Sequence, residues 1–136
     1  MFRVILILAG ITLLVNSCST TDSLTKLGDT EWSVTSLLDK TLTADDGMKV
    51  LPSLIFSEDG KLFGSTGCNN FTGSYKLDGT KLSLNPGAIT KMFCPGDTEQ
   101  KFLKAINQVT NLKMDGSTLN LLNGTKTVMS LAPKEK

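Results

Sequence analysis

The sequence predicts an α+β fold in which a strongly bent antiparallel β-sheet, partly open and barrel-like, packs around one α-helix. Two observations predict this fold class. Four Asp-Gly or Asn-Gly dipeptides lie between short apolar runs, and such dipeptides are typical of β-hairpin turns. One stretch near 97–109 instead spaces its apolar residues like the buried face of a helix. Many short strands and one amphipathic helix favour a sheet that curls over the helix.

The turn dipeptides mark where the predicted strands end. They are Asp59-Gly60, Asp78-Gly79, Asp115-Gly116 and Asn123-Gly124. We expect type I′ turns, in which both central residues adopt positive φ. Apolar residues alternate between the turns, as in Leu54/Phe56 and Leu82/Leu84, so one face of the sheet should be buried. The expected strands are Glu31–Leu38, Ser53–Ser57, Lys61–Ser65, Phe71–Leu77, Lys81–Leu84, Ala88–Phe93, Leu112–Met114, Thr118–Leu122 and Lys126–Leu131.

The predicted helix follows a tight Cys94-Pro95-Gly96 turn. Asp97 stands where an N-cap residue is expected, and Gln100 occupies the capping-box position. Glu99 falls in the first turn, where the helix dipole favours a negative charge. One helical face carries apolar residues that should enter the core, namely Phe102, Leu103, Ile106 and Val109.

The composition excludes several classes of function. The 136 residues suffice for one domain and include no histidine, so a Ser-His-Asp triad and a histidine-based zinc site cannot form. A formal net charge of +1 without a Lys/Arg cluster argues against nucleic acid as a partner. The adjacent carboxylates Asp45-Asp46 and Glu58-Asp59 precede glycines and are expected in solvated turns. We expect no catalytic residues, no metal site and no cofactor.

The N-terminal segment is typical of a secretion signal. Arg3 precedes the apolar run Val4–Val15, which at about 12 residues is too short to span a bilayer comfortably. Ser17 and Cys18 follow, as at the cleavage site of a bacterial lipoprotein. An ordinary secretory signal with an incidental cysteine is the alternative. The expected division of the chain is a signal peptide at 1–17, a lipidated Cys18 with a flexible linker at 18–28, and a domain at 29–133.

The densest pattern of the sequence runs from Gly64 to Tyr75 and reads G-x-x-G-C-N-x-F-x-G-x-Y. Three glycines within strand-forming sequence predict bulges, positive φ or the close approach of another backbone. Further along stand Thr90-x-Met92-x-Cys94, then Glu99, then Phe102-Leu103. Together these motifs resemble those of the META domain, or HslJ-like, family.

Other positions extend this resemblance to about 29–131. They are an early Trp32, the pattern Pro52-x-Leu54-x-Phe56 and the late strand pattern Leu119-x-Leu121. The resemblance implies an α+β fold with a bent antiparallel sheet around one helix. It also implies a heat-shock-associated envelope protein, of a kind sometimes linked to antibiotic tolerance or secretion, and it brings no established catalytic residues. Phe93 departs from the family pattern, which often has a small residue there, and this affects local packing only.

Cys68 and Cys94 are the most informative pair of residues. In an oxidising periplasm, two cysteines in one small domain are usually bonded to each other. Closing a loop of about 25 residues stabilises by about 3–4 kcal/mol in the chain-entropy model. The alternatives are two free buried thiols, a redox pair or a nucleophilic cysteine. The sequence has no CxxC spacing, no histidine and no neighbouring basic cluster that would favour a reactive thiol.

The stretch Gly64–Tyr75, called the central run below, has an architectural and a functional interpretation. In the first, the glycines shape a tight corner, Asn69 bonds the local backbone, and Phe71 and Tyr75 anchor the core from one face. In the second, the same residues line a recognition surface. We favour the architectural interpretation. The residues concerned are Gly67, Asn69, Asn70, Phe71, Gly73 and Tyr75.

The expected protein is a monomeric lipoprotein of the cell membrane or outer membrane, held by the lipid on Cys18 with its domain facing the periplasm. Its expected role is that of a non-enzymatic, stress-related binding or accessory module that meets an envelope protein or peptide. The alternative is a carrier or sensor of a hydrophobic ligand, because partly open barrels enclose apolar cavities. Side chains that fill the interior would favour the first role, and a large apolar cavity would favour the second.

Overall fold

The computed structural model describes residues 27–28, 30–43, 48 and 50–135. The predicted signal peptide at 1–17, the predicted lipid site Cys18 and the Asp45-Asp46 pair lie outside the described residues. The predicted fold class is confirmed, since the described part of the chain forms an antiparallel sheet with one helix.

Nine strands and one helix are found in the described residues. The strands are β1 (Glu31–Leu37), β2 (Lys40–Thr41), β3 (Ser53–Phe56), β4 (Lys61–Ser65), β5 (Asn70–Asp78), β6 (Lys81–Ile89), β7 (Asn111–Asp115), β8 (Thr118–Asn123) and β9 (Lys126–Pro133). The helix α1 is Thr98–Gln108. The strand order is β2-β1-β3-β4-β5-β6-β7-β8-β9, and β1 also pairs with β9. This second pairing closes the sheet into a ring.

The ring is not a regular barrel, because β6 and β7 meet over a short stretch. Their register is the pair Lys81–Asn111, with backbone bonds from Leu82 N to Thr110 O and from Leu112 N to Thr80 O. Beyond this point β6 continues to Ile89 while the chain turns into α1. The helix contacts β6, β1 and β9, and so packs against strands from different parts of the ring.

The helix is held by its apolar face rather than by the predicted capping box. Phe102, Ala105 and Ile106 are buried, and Val109 is buried just beyond the helix end. Asp97 makes no side-chain cap bond within the described residues. Its carboxylate instead pairs with Lys101 at 2.8 Å, and this hydrogen bond lowers the pKa of Asp97. No helix in the described ranges is long and apolar enough to cross a membrane.

The predicted turn type is wrong at the three tight hairpins. The strand pairs Asp78–Lys81, Asp115–Thr118 and Asn123–Lys126 flank two-residue turns that begin with glycine. Only the glycine of each turn has positive φ, which is the pattern of type II′. Both central residues have positive φ in the turn between β1 and β2, where Leu38 has φ 48° and Asp39 has φ 67°. No glycine marks that turn, so the short strand β2 was not predicted.

The expected strands at 81–84 and 88–93 are in fact one strand, β6, which ends at Ile89. Thr72 pairs with Ala88 and Ser74 with Asn85, so two residues of β6 lie opposite the single residue Gly73. This bulge accommodates Pro86 inside a strand, where a proline would otherwise end the pairing. The residues after Ile89 are not strand, and they form one wall of the site described below.

Side chains fill the space enclosed by the sheet and the helix. Trp32, Phe56 and Phe102 are the largest of the fully buried residues, and they belong to one contiguous apolar cluster. Leu27 joins this cluster, and its carbonyl accepts a hydrogen bond from Trp32 Nε1 at 3.2 Å. The predicted linker at 18–28 includes Leu27, so the packed unit starts before the predicted boundary at 29.

Tyr75 fastens the β3–β4 hairpin. Its hydroxyl donates to the Ser57 carbonyl at 2.8 Å, and its ring packs edge-on against Phe56 at 5.1 Å between centroids. Burial raises the pKa of Tyr75, and the negative charges of Asp59 and Glu58 raise it further. Tyr75 is thus half-buried beside the core, whereas Phe71 lies within it.

The raised pKa of Tyr75 predicts a loss of stability at alkaline pH. The protonated phenol is favoured in the folded state, so its contribution to the free energy of unfolding is complete below about pH 10 and falls as the pH rises through the folded pKa. Tyr75 is the single tyrosine, so absorbance near 295 nm follows its ionisation alone. The gap in stability between the parent and Tyr75→Phe, measured by Trp32 fluorescence, should narrow over the same pH range. A folded-state midpoint at or below that of the unfolded chain would contradict this account.

Candidate functional site

A groove of about 690 Å³ opens where the turn after β4, the segment 90–97 and the first turn of α1 meet. We call it the disulfide groove, because Cys68 and Cys94 both line it. Apolar side chains contribute to its walls, and Thr66, Asn70 and Glu99 contribute polar groups. Residues that lie far apart in the sequence therefore meet at this corner of the sheet.

The predicted disulfide is present, and both of its cysteines line the groove. Cys68 and Cys94 are 26 residues apart in sequence, and their Cα atoms are 6.1 Å apart. Cys68 belongs to the turn between β4 and β5, and Cys94 to the segment between β6 and α1. The bond therefore ties a sheet corner to the chain that leads into the helix.

The corner itself is built around Thr66 and Gly67. The Thr66 hydroxyl accepts the Asn69 N–H at 2.9 Å and donates to Glu99 Oε2 at 2.5 Å. The Thr66 N–H donates to the Asn69 carbonyl at 2.8 Å, which closes the turn. Gly67 has φ +91°, a conformation that side-chain-bearing residues rarely adopt. The turn at this corner thus has a backbone conformation that favours glycine at position 67.

Asn69 connects three parts of the site through one side chain, which is 1% exposed. Its Nδ2 group donates to Glu99 Oε2 at 2.8 Å and to the Met92 carbonyl at 3.2 Å. Its Oδ1 atom accepts from the Met92 N–H at 2.6 Å and the Thr90 hydroxyl at 3.0 Å. A primary amide has two donor hydrogens and two acceptor lone pairs, so this one is fully satisfied. Asn69 therefore holds the segment 90–92 and the start of α1 against the corner.

Glu99 has a larger role than the sequence indicated. Its position in the first helical turn predicted only an interaction with the helix dipole. In the structure its Oε2 atom accepts hydrogen bonds from Thr66 and Asn69, so it joins α1 to the corner. The sequence feature that points to this role is the place of Glu99 in the family pattern, after the motif that ends at Cys94.

The two neighbouring asparagines have opposite environments. Whereas Asn69 is buried, Asn70 is exposed and contacts Thr90 through its backbone. The Asn70 N–H donates to the Thr90 hydroxyl at 3.1 Å, and the Asn70 carbonyl accepts the Thr90 N–H at 3.0 Å. The Asn70 side chain lines the disulfide groove and makes no hydrogen bond to the residues that the structure describes. Of the pair, only Asn70 is available to a ligand.

Phe71 and Gly73 are positioned for packing. Phe71 is buried, and its ring lies 5.8 Å from that of Phe102 on the helix. At Gly73, a Cβ atom would lie 1.8 Å from the Asn85 carbonyl oxygen, which leaves no room for a side chain against the β6 bulge. Together with Gly67, Asn69 and Tyr75, these residues form the architecture of the corner and its sheet.

The groove has an apolar wall that the sequence patterns do not predict. Phe93 is 95% exposed, Met92 is 62% exposed and Val50 is 56% exposed, and all three line the groove. The fourth large apolar residue that is exposed in the described ranges, Phe63, is 36% exposed and lies outside it. Phe93 was expected to affect local packing, but its side chain packs on almost nothing. Asn69 holds the backbone on one side of it, and the disulfide holds the other.

The described carboxylate pair, Glu58-Asp59, lies in an exposed turn away from the groove. Glu58 and Asp59 are exposed in the β3–β4 turn, where Asp59 pairs with Lys61 at 3.1 Å. Hydrogen bonds from Ser57 and Lys61 lower the pKa of Asp59. Within the described ranges, no group of three or more His, Cys, Asp or Glu side chains is arranged to hold a metal ion.

Comparison with known proteins identifies both a family and a fold. A family model described as META domain matches residues 23–136. The chain is similar to an NMR structure of a protein from Burkholderia xenovorans, with 26% identity, coverage of 85% of this chain and 88% of that chain, and a TM-score of 0.61. It is also similar to the crystal structure of a DUF4847 family protein from Bacteroides vulgatus, with 18% identity, coverage of 81% and 96%, and a TM-score of 0.58.

Another NMR structure shares the fold at 21% identity, covering 79% of this chain and 92% of that chain with a TM-score of 0.62. No curated protein matches the chain. The similarities below 25% identity concern the fold alone, and the solved structures therefore support the described architecture without assigning it an activity.

Asn69→Ala and Asn70→Ala provide a matched test of the corner. Removing the buried Asn69 amide leaves the Met92 N–H and carbonyl without this partner and removes one of the two hydrogen bonds to Glu99 Oε2, so we expect a loss of about 2–3 kcal/mol in the free energy of unfolding. Asn70→Ala should change it by less than about 0.5 kcal/mol, because only an exposed side chain is lost. Denaturant unfolding followed by Trp32 fluorescence measures both values. Equal stabilities for the two variants would refute the structural role of Asn69.

Proposed function

This chain belongs to the META domain family, and we propose that it is a non-enzymatic accessory module of the cell envelope that binds a protein or peptide partner in the disulfide groove. The proposal includes no cofactor and no metal. It also includes the stress-related setting implied by the family resemblance, and a monomeric domain.

One observation carries the proposal: Phe93 and Met92 are exposed on a backbone that is fastened on both sides. Large exposed apolar side chains next to a groove are typical of binding surfaces. A surface that is already ordered loses less conformational entropy when a partner binds. The Asn69 bonds and the disulfide thus support a binding role for the residues between them.

The filled interior favours a macromolecular partner over an enclosed hydrophobic ligand. The space between the sheet and α1 is occupied by the apolar cluster that contains Trp32, Phe56 and Phe102. The disulfide groove lies at the surface and has polar groups from Thr66, Asn70 and Glu99 in its walls. An open groove of mixed polarity suits a short segment of another chain better than an acyl chain.

The envelope location is proposed from the sequence. The apolar run Val4–Val15 followed by Ser17-Cys18 supports export and lipid attachment at Cys18. A disulfide between Cys68 and Cys94 is stable in an oxidising compartment such as the periplasm. In this proposal the lipid fixes the domain to the cell membrane or the outer membrane, on the periplasmic side.

Cys18→Ser tests the location. Without the thiol no lipid can be attached, so the processed protein should be released from membranes, or the chain should stay unprocessed with its apolar segment. Membrane fractionation and the mass of the mature chain distinguish these forms from the parent. A Cys18→Ser protein that is processed and still extracted only by detergent would rule out the lipid anchor.

Photo-crosslinking in intact envelopes tests the binding surface. A photoreactive phenylalanine analogue in place of Phe93 should give a discrete protein adduct, because this side chain stands in the groove wall. The same analogue in place of Phe63, an exposed phenylalanine outside the groove, is the matched control and should not. Identical adducts at both positions, or lipid adducts alone at 93, would contradict a protein partner in the groove.

A further inference from the structure

We infer that the disulfide groove binds a peptide segment in which one Lys or Arg side chain is flanked by apolar residues. This inference rests on the proposed function and states the chemistry of its partner. The cation would meet the Glu99 carboxylate, and the apolar neighbours would pack on Phe93, Met92 and Val50. Charge complementarity and the shape of the groove wall are the grounds for this occupant.

Glu99 places a negative charge in the groove that the described residues do not neutralise. Its Oε2 atom accepts hydrogen bonds from two neutral groups, the Thr66 hydroxyl and the Asn69 amide. Its other oxygen receives no hydrogen bond from the described part of the chain. The ion pairs found among the described residues involve other carboxylates, namely Asp39, Asp59, Asp97 and Glu31. A fixed charge in a partly enclosed groove is best matched by a cation from a partner.

The position of Glu99 is set before any partner arrives. The carboxylate lies in the first turn of α1, where the helix dipole favours it, and the bonds from Thr66 and Asn69 restrict its rotation. A cation that binds there does not have to order the carboxylate first. A charge-assisted hydrogen bond to such a group is stronger than one between neutral groups.

The apolar wall supplies the other half of the recognition. Phe93 and Met92 project from the segment 90–94, and Val50 lines the same groove. Methionine adapts its shape to different partners, and the phenylalanine ring offers a large apolar surface. A groove of about 690 Å³ is in the range of sites for small ligands, so it holds a short segment rather than a domain surface.

A bilayer surface is a poorer occupant. Exposed Phe93 and Met92 next to Lys91 could enter an interface, but anionic headgroups would meet the Glu99 charge in the same groove. Attraction to anionic lipid comes from clusters of basic residues, and Lys91 is the one basic residue in the segment 90–97. The observations therefore favour the peptide, and binding to membranes becomes an outcome of the test.

The test uses the protein as the cell makes it, held in phosphatidylcholine nanodiscs, with two fluorescein-labelled pentapeptide amides as probes. One peptide is Gly-Leu-Arg-Leu-Gly, and the other has neutral citrulline in place of arginine. Fluorescence anisotropy should show the arginine peptide binding at least about fivefold more tightly than the citrulline peptide. Glu99→Gln should remove this difference, because it deletes the charge and keeps an acceptor for Thr66. Phe93→Ser should weaken both peptides by a similar factor.

Matched controls lie outside the groove. Asp115→Asn removes an exposed carboxylate from the β7–β8 turn, and Phe63→Ser removes the exposed phenylalanine of β4. Both should bind the two peptides as the parent does. Trp32 fluorescence verifies that every variant is folded. If Glu99→Gln does not fold, two comparisons still test the inference. They are the affinity of the arginine peptide against that of the citrulline peptide on the parent, and the affinity of both peptides for the parent against Phe93→Ser.

Several results would overturn the inference. Equal binding of the arginine and citrulline peptides, binding of neither, or equal loss in Phe63→Ser and Phe93→Ser would each do so. Binding of anionic vesicles that depends on Phe93, with no preference for the arginine peptide, would replace the peptide by a membrane. If the Phe93 crosslink yields a protein partner while the peptides fail, the proposed function stands and the cationic segment does not.

Discussion

The side-chain amide of Asn69 is the interaction on which the candidate site depends. It is buried, and it uses both donor hydrogens and both acceptor positions on groups from two other parts of the chain. An aliphatic side chain would leave the Met92 peptide groups and the Glu99 carboxylate without their partner, and a carboxylate would repel Glu99. Asn69 thus links the corner to the segment 90–92 and to the first turn of α1. The disulfide adds a covalent link at Cys94.

This fastening explains how a small domain can expose apolar groups without disorder. Phe93 is held by its neighbours on both sides rather than by its own packing, so its side chain stays exposed. Glu99 is held in a similar way. Its Oε2 atom accepts hydrogen bonds from Thr66 and Asn69, and the residue still lines the groove. Neighbouring residues of the site therefore differ in exposure. Asn69 is buried and bonded within the domain, whereas Asn70 and Phe93 are exposed.

The ring of strands provides the rigid base for this corner. Pairing of β1 with β9 closes the sheet, and α1 packs against β6, β1 and β9. The segment 90–97 leads from the end of β6 to α1, and the disulfide ties this segment to the β4–β5 corner. The Phe71–Phe102 contact then links the central run to the helix from inside the core. A groove at this position follows from the way the helix enters the ring.

What the sequence by itself determined is the set of features that obey short-range rules. Glycine positions marked the hairpins, alternating leucines identified the buried face, and apolar spacing located α1, because each depends on residues only a few positions apart. The glycines, Asn69 and Phe71 of the central run predict an architectural role by the same short-range rules. Tertiary structure decided the strand register, which places glycine first in each two-residue turn and so sets the turn type. It also decided the continuity of β6 past Pro86, where the bulge lies opposite Gly73. It alone decided the Asn69–Glu99 bond and the exposure of Phe93, because residues about thirty positions apart meet only after the ring has closed and the helix has docked.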